Sequence, residues 1–373
     1  MQNKRVKDPE VYSSWLLLLL VALLTAGLFF RFTNLDRKVY GNDEVWTSFW
    51  LSGQSASEMI EKVFDGRELT TQDLQRYQRV NSDRNWISTI MSLAADDPKQ
   101  PPLYYVLLRL WTQFFGDSIS SIRSLSAFIS LLVFPCLYWL CRELFETPRT
   151  AWIAIALMAV SPFHVLYAQE ARPYSLWTVT ILLSSAVLLR TLRRQTWWSW
   201  SLYAATIALG LYSHTLFGLI IIAQGAYVIA LRPRKINPKE FQLPKVHIGY
   251  LLATLVGLIA FAPWAVVIIS KLPQLQGDVS WLNENVNPSD LLKQWTYNFR
   301  SVFLDTGGYL YGIGSPFINL ISLSILALVA SSIYFLVRST PKRVWLFILT
   351  LSGSAFIWLA LADLIWGGRR SGV

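Results

Sequence analysis

The sequence predicts an all-α, polytopic membrane protein, and three observations lead there. Of its 373 residues, 53% are hydrophobic and only 15% charged, against roughly 25% charged in soluble domains. Apolar runs of about 18 residues or more recur along most of the chain. The stretch 197–231 contains no Asp, Glu, Lys or Arg. As a single helix it would reach about 52 Å, beyond a hydrocarbon core of roughly 30 Å, so it reads as two helices.

Taken in order, about nine spans are expected: 13–32, 119–141, 150–168, 174–191, 197–213, 215–231, 248–269, 316–337 and 344–366. The first follows Lys4, Arg5 and Lys7 and reads as a retained anchor, because no strong cleavage motif follows it. Next comes a long charged loop, 33–118, with amphipathic juxtamembrane helices. Ser55 and Glu58 have the spacing of a capping box, and a second helix is expected over 71–94. "PPLYYVLLRLWTQFFG" (101–116) is too short to span, begins with two prolines and carries Arg109, so it reads as an interfacial helix. Pro173 disfavours helical geometry at Arg172 and divides two spans at 169–173. "GLYSHT" (210–215) is the turn of the uncharged hairpin. The final large loop, 270–315, is rich in Trp, Tyr and Gly and could order over a ligand.

With 101–116 lying flat, the short basic loops share one side with the N-terminus. They carry Arg142/Arg149, Arg190/Arg193/Arg194, Arg232/Arg234/Lys235/Lys239/Lys245 and Arg338/Lys342/Arg343. The positive-inside bias makes that side cytoplasmic and places 33–118, 169–173 and 270–315 outside. The net charge of +10 then suits an anionic leaflet, with no nucleic-acid partner implied. Cys136 and Cys141 are expected to be packing residues without a disulfide. The absence of an Asn-x-Ser/Thr sequon leans toward a bacterial inner membrane, with the site facing the periplasm or exterior. The chain 1–373 reads as a single transmembrane domain, and "GGRRSGV" at its end suggests that a C-terminal part is missing.

The polar residues of the outer side are the candidates for chemistry. Asp43 and Glu44 stand in "YGNDEVW", just after the first span. Asp97, Lys99 and Gln100 precede the interfacial helix; Arg123, Glu170, Arg172, Tyr174, His214, Arg369 and Arg370 lie at span mouths. Buried arginine at such depth is costly unless paired or functional. A lipid phosphate is the natural ligand, because arginine binds phosphate oxygens bidentately.

Together, "NDE" after the first span, "PPLYYVLLRLW" after a long outer loop and "SPFHVLYAQEARPYSLW" between two spans resemble a known group. They are similar to the protein-O-mannosyltransferase / aminoarabinose-transferase superfamily of GT-C-fold glycosyltransferases, over about residues 15–215. The resemblance implies transfer of a sugar from a polyprenyl-phosphate donor to a hydroxyl acceptor on a glycolipid, polysaccharide or protein. It implies a catalytic base at Asp43, with Glu44 orienting a substrate. Arg123, Arg172, Lys99 and His214 are expected to hold the donor phosphate. Glu170, Tyr174, Asp97, Gln100, Arg369 and Arg370 are secondary candidates. Gln100 departs from the His or Lys usual before the two prolines, with Lys99 beside it as the candidate substitute for that charge. A single displacement predicts inversion at the anomeric carbon. No metal or other cofactor is required by such a leaving group, although carboxylates and His could bind a divalent ion. Two rivals are a flippase for a lipid-linked sugar, which usually shows internal repeats, and a non-catalytic scaffold of glycan assembly.

Overall fold

A computed structural model of the chain describes residues 14–66, 68–231, 245–273, 288–304 and 316–366. Arg369, Arg370 and most of the 270–315 loop lie outside the described residues. Every regular element among the described residues is helical. In chain order they are α1 (Ser14–Phe32), α2 (Asn42–Ser52), α3 (Ala56–Val63), α4 (Thr71–Gln75), α5 (Trp86–Asp96), α6 (Leu103–Phe115), α7 (Ile119–Leu131) and α8 (Val133–Leu144). They continue as α9 (Pro148–Val160), α10 (Pro162–Ala168), α11 (Tyr174–Arg194), α12 (Trp197–Ser213), α13 (Phe217–Ala230), α14 (Lys245–Ser270), α15 (Pro288–Ser301), α16 (Pro316–Ser339) and α17 (Lys342–Trp366). Each expected span coincides with one of these helices or with a pair of them. By length and apolarity, five described helices or helix runs can cross a membrane, or six with α9 and α10 taken as one bent span. Large apolar side chains such as Leu18 and Phe29 on α1, Val256 and Ile259 on α14, and Leu323 and Phe335 on α16 face outward. That is the pattern of helices solvated by lipid.

Helix α11 is the centre of the bundle, packing against α7, α8, α10, α12 and α13, while α1 lies along α9. Contact between α1 and α9 is close because Gly27 has no side chain. A Cβ there would lie 2.4 Å from the carbonyl oxygen of Ala159. Since the obstacle is backbone, Gly27→Ala is expected to push the helices apart and cost about 1–3 kcal/mol. Denaturation in detergent against wild type measures it.

Sequence and structure differ at three places. The span expected over 150–168 is bent by 63° between α9 and α10, where Pro162 follows Ser161 and removes a helical donor. Arg31, at the end of α1, caps the break: Nη1 donates to the carbonyl of Ala159 and Nη2 to that of Met158 at 3.2 Å. The helix expected over 71–94 is two helices, α4 and α5, separated by a 3-10 turn at Arg76–Gln78 and an irregular stretch. Asn85 caps α5 by accepting from the N–H groups of Ile87 and Ser88. Buried Arg109 on α6 also donates to the carbonyls of Asn81 and Arg84 in that stretch and to that of Leu51 near the end of α2. At the start of α3, Ser55 accepts from the Glu58 N–H as expected. The Glu58 carboxylate turns instead to Arg84, at 3.0 Å.

Helix α6 has 13 residues, about 20 Å of rise, too short to span. It lies between the bundle and the loop elements, contacting α2 and α5 on one side and α7 and α12 on the other. Arg193 and Arg194 occupy the last turn of α11, at the other end of that helix from Arg172, which meets Tyr105 of α6. The basic end of α11 and the expected site residue Arg172 are thus at opposite ends of that helix, and Arg232, Arg234, Lys235 and Lys239 lie outside the described residues. At the basic end Glu143 accepts from Arg193 and from the Trp139 indole N–H, and Arg190 lies 3.8 Å away. Cys136 and Cys141 are free thiols.

Candidate active site

The site is assembled at the start of α2, where Gly41 leads the chain into the helix and Asp43 and Glu44 occupy its first turn. Carboxylates there are favoured by the N–H groups of the helix end. The two diverge in environment. Glu44 points inward, 3% exposed, and meets Arg123 of α7, which is fully buried. Arg123 Nε donates to Glu44 Oε1 at 2.8 Å and Nη2 to Oε2 at 2.6 Å. Glu44 also accepts from the N–H groups of Ala171 at 2.9 Å and Gly41 at 3.1 Å. Burial alone would raise its carboxyl pKa; the Arg123 guanidinium and the two N–H donors outweigh it and hold the pKa below the usual range.

Arg123 is equally committed. Its remaining donors reach the carbonyls of Leu35 and Lys38 from Nη1 and of Val39 from Nη2. All five N–H groups are thereby used. The expectation that Glu44 orients a substrate and Arg123 holds a phosphate meets this geometry directly. Glu44 accepts four hydrogen bonds and Arg123 has no donor to spare. The pair instead ties the start of α2 and the strap 35–39 to the bundle.

Asp43 and Arg172 are the contrasting pair. The Asp43 side chain is 45% exposed, and its Oδ2 lies 3.7 Å from Arg172 Nη2. Arg172 is buried, and its Nε has no hydrogen-bond partner. Nη1 donates to the Tyr105 hydroxyl at 3.3 Å, and Tyr105 donates in turn to Gln100 Oε1 at 3.2 Å. The guanidinium carbon lies 5.9 Å from the Tyr174 ring centroid. A guanidinium held by the hydroxyls of Tyr105 and Tyr174 and one loose ion pair, with its Nε unpartnered, retains a donor for an anion.

His214, in the turn between α12 and α13, stacks on Trp177 with centroids 4.2 Å apart and planes 14° from parallel. The Leu216 N–H donates to His214 Nδ1 at 3.1 Å, so a neutral ring carries its proton on Nε2. Burial, with the charge of Arg172 second, lowers its pKa to about 4. A histidine pKa lowered by folding adds stability that is complete above about pH 6.5 and lost as pH falls toward the folded value. Wild type is therefore expected to lose more thermal stability than His214→Gln between pH 6.5 and 4, as thermal denaturation across that range measures.

Lys99 pairs with Asp97 at 3.4 Å, and its carbonyl accepts from Thr215, next to His214. Glu170 pairs with Lys38 at 2.7 Å. The fold thus gathers Asp43, Arg172, Tyr174, Gln100, Asp97, Lys99 and His214 at one mouth, with the Glu170–Lys38 pair beside them. Tyr105 and Lys38 were not expected. "PPLYY" pointed to Tyr105 only as part of a motif, and nothing local marks Lys38. Among the described residues no three of His, Cys, Asp or Glu come together as a metal site.

Comparison with known proteins supports the resemblance read from the motifs. Residues 99–267 match the family of dolichyl-phosphate-mannose-protein mannosyltransferases, and the chain is similar to GT-C glycosyltransferases. The match includes α6, Arg123 and the Arg172 break but not Asp43. No curated protein matches over the sequence. Among solved structures, the archaeal oligosaccharyltransferase AglB from Archaeoglobus fulgidus, in complex with an inhibitory peptide and a dolichol-phosphate, aligns at 16% identity with a TM-score of 0.41. That alignment covers 95% of this chain and 38% of AglB, so the chain spans well under half of that protein's length.

Proposed function

We propose that the chain is a membrane glycosyltransferase that moves a sugar from a polyprenyl-phosphate donor to a hydroxyl acceptor at the mouth formed by α2, α6 and α11. The observation that carries this reading is the Asp43–Arg172 pair: an accessible carboxylate 3.7 Å from a buried guanidinium that keeps an unpartnered N–H. Arg172 receives the donor phosphate at membrane depth. Asp43 takes the proton from the attacking hydroxyl as the bond from the anomeric carbon to phosphate oxygen breaks. Negative charge grows on the leaving phosphate, where Arg172 and the neutral His214 Nε2–H stabilise it. Lys99 and Tyr174 complete the rim, and Gln100 holds Tyr105 against Arg172. One displacement inverts the anomeric carbon. The site faces the exterior of a bacterial inner membrane, in keeping with basic residues at the opposite end. Sugar donors of the hexosyl and pentosyl classes both suit the site.

The test reconstitutes full-length protein in vesicles with radiolabelled polyprenyl-phosphate sugars and a crude acceptor pool. Transfer of label to acceptor is expected. Arg172→Gln is expected to lower kcat by roughly 10²–10³-fold, the scale for losing one donor to developing charge. Label that crosses the bilayer and stays on the lipid contradicts the proposal and makes the chain a flippase.

A further inference from the structure

The outer layer holds a second feature that the proposed chemistry does not use. A cavity of about 400 Å³ is lined by Gln54, Lys62, Arg76, Tyr77, Arg79, Val80 and Asn81, a volume in the range of small-molecule sites. The segment 33–118 carries twelve acidic and nine basic residues, yet three of the basic ones line this cavity and no acidic residue does. Arg79 pairs with Asp117 at 3.0 Å, and Asp117 also accepts from the Val80 N–H. Arg76 lies over the Tyr77 ring and donates to its hydroxyl at 3.1 Å. Lys62 has no carboxylate partner among the described residues. Gln54 is 9% exposed and lines the same cavity, and its carboxamide has no hydrogen-bond partner among the described residues.

We infer that this cavity binds an anionic group, carboxylate or phosphate, on the acceptor glycan. That the anion belongs to an acceptor rests on the transferase reading; the binding does not. Arg76 and Arg79 present planar donors that match either anion. The carboxamides of Gln54 and Asn81 both donate and accept, which suits sugar hydroxyls better than the carboxylates of an acidic peptide. Placement adds a length. Gln54 follows Gly53, whose left-handed backbone (φ 75°) ends α2, while Asp43 stands at the helix start. The eleven residues of α2 rise about 16 Å. An acceptor anchored in the cavity and attacking at Asp43 therefore spans on the order of 16 Å, more than one sugar.

Calorimetry on the full chain in nanodiscs tests this with four probes: trigalacturonate, maltotriose carrying a terminal phosphate, neutral maltotriose and hexaglutamate. One or both charged sugars are expected to bind, with neutral maltotriose and hexaglutamate weaker. Arg76→Ala, Arg79→Ala and Gln54→Ala are each expected to weaken binding, the arginine changes by roughly tenfold, the effect of one charge-assisted hydrogen bond. Arg76→Lys is expected to recover part of the loss, which separates a lost charge from a lost fold. Preference for one charged probe identifies the anion. The inference is overturned if neither charged sugar binds, if maltotriose or hexaglutamate binds as tightly, or if the arginine variants bind unchanged. Asp43→Asn is expected to bind the probes as wild type does. Failure of sugar transfer with probe binding intact would therefore count against the transferase reading alone.

Discussion

Removing one member of the Glu44–Arg123 pair is expected to destabilise the protein by about 3–5 kcal/mol, the cost of stranding a buried charge. Arg123→Leu leaves the Glu44 carboxylate without its main partner at 3% exposure, and Glu44→Leu leaves a guanidinium with 0% side-chain exposure. The double variant Glu44→Leu/Arg123→Leu is expected to be less destabilised than the sum of the two, because neither charge then remains. Arg123 also satisfies the carbonyls of Leu35, Lys38 and Val39, so the double variant will still fall short of wild type. Denaturation of all four proteins in one detergent measures the coupling. Strict additivity would mean that the two residues act independently.

Asp43→Asn is expected to have the largest effect on turnover and little on folding. General-base catalysis contributes roughly 10²–10⁴-fold, and kcat is expected to fall by that factor. The side chain is 45% exposed with one loose ion pair, so its charge contributes to stability only through the α2 terminus, about 0.3–1 kcal/mol. Asparagine keeps the shape and a hydrogen-bonding oxygen but cannot accept the hydroxyl proton at neutral pH. Donor affinity, set by Arg172 and its neighbours, is expected to hold. Glu44 cannot substitute, since its four hydrogen bonds leave it buried behind Arg123.

Long apolar runs made the helices legible, and the Pro173 break fell where the residue order put it. Pro162 carried the same signal and marks a bend that the periodicity of 150–168 concealed. The cluster "NSDRN" (81–85) likewise carries the turn and cap residues that interrupt 71–94. Partnership was not legible. Asp43 and Glu44 are adjacent, with the same chemistry, and only the tertiary fold turns one toward a buried arginine and the other toward the mouth. Arg123 and Arg172 looked alike as arginines at span mouths; five committed donors on one and a free Nε on the other separate them. Arg31 and Arg109 are further buried arginines that serve loose carbonyls.

The most direct measurement follows label from one polyprenyl-phosphate sugar through wild-type and Asp43→Asn vesicles side by side, reading bound donor and transferred product together. Equal donor retention, with transfer present in wild type and reduced by at least about two orders of magnitude in the variant, is the predicted result. Equal transfer by both proteins would contradict it and remove Asp43 from the chemical step.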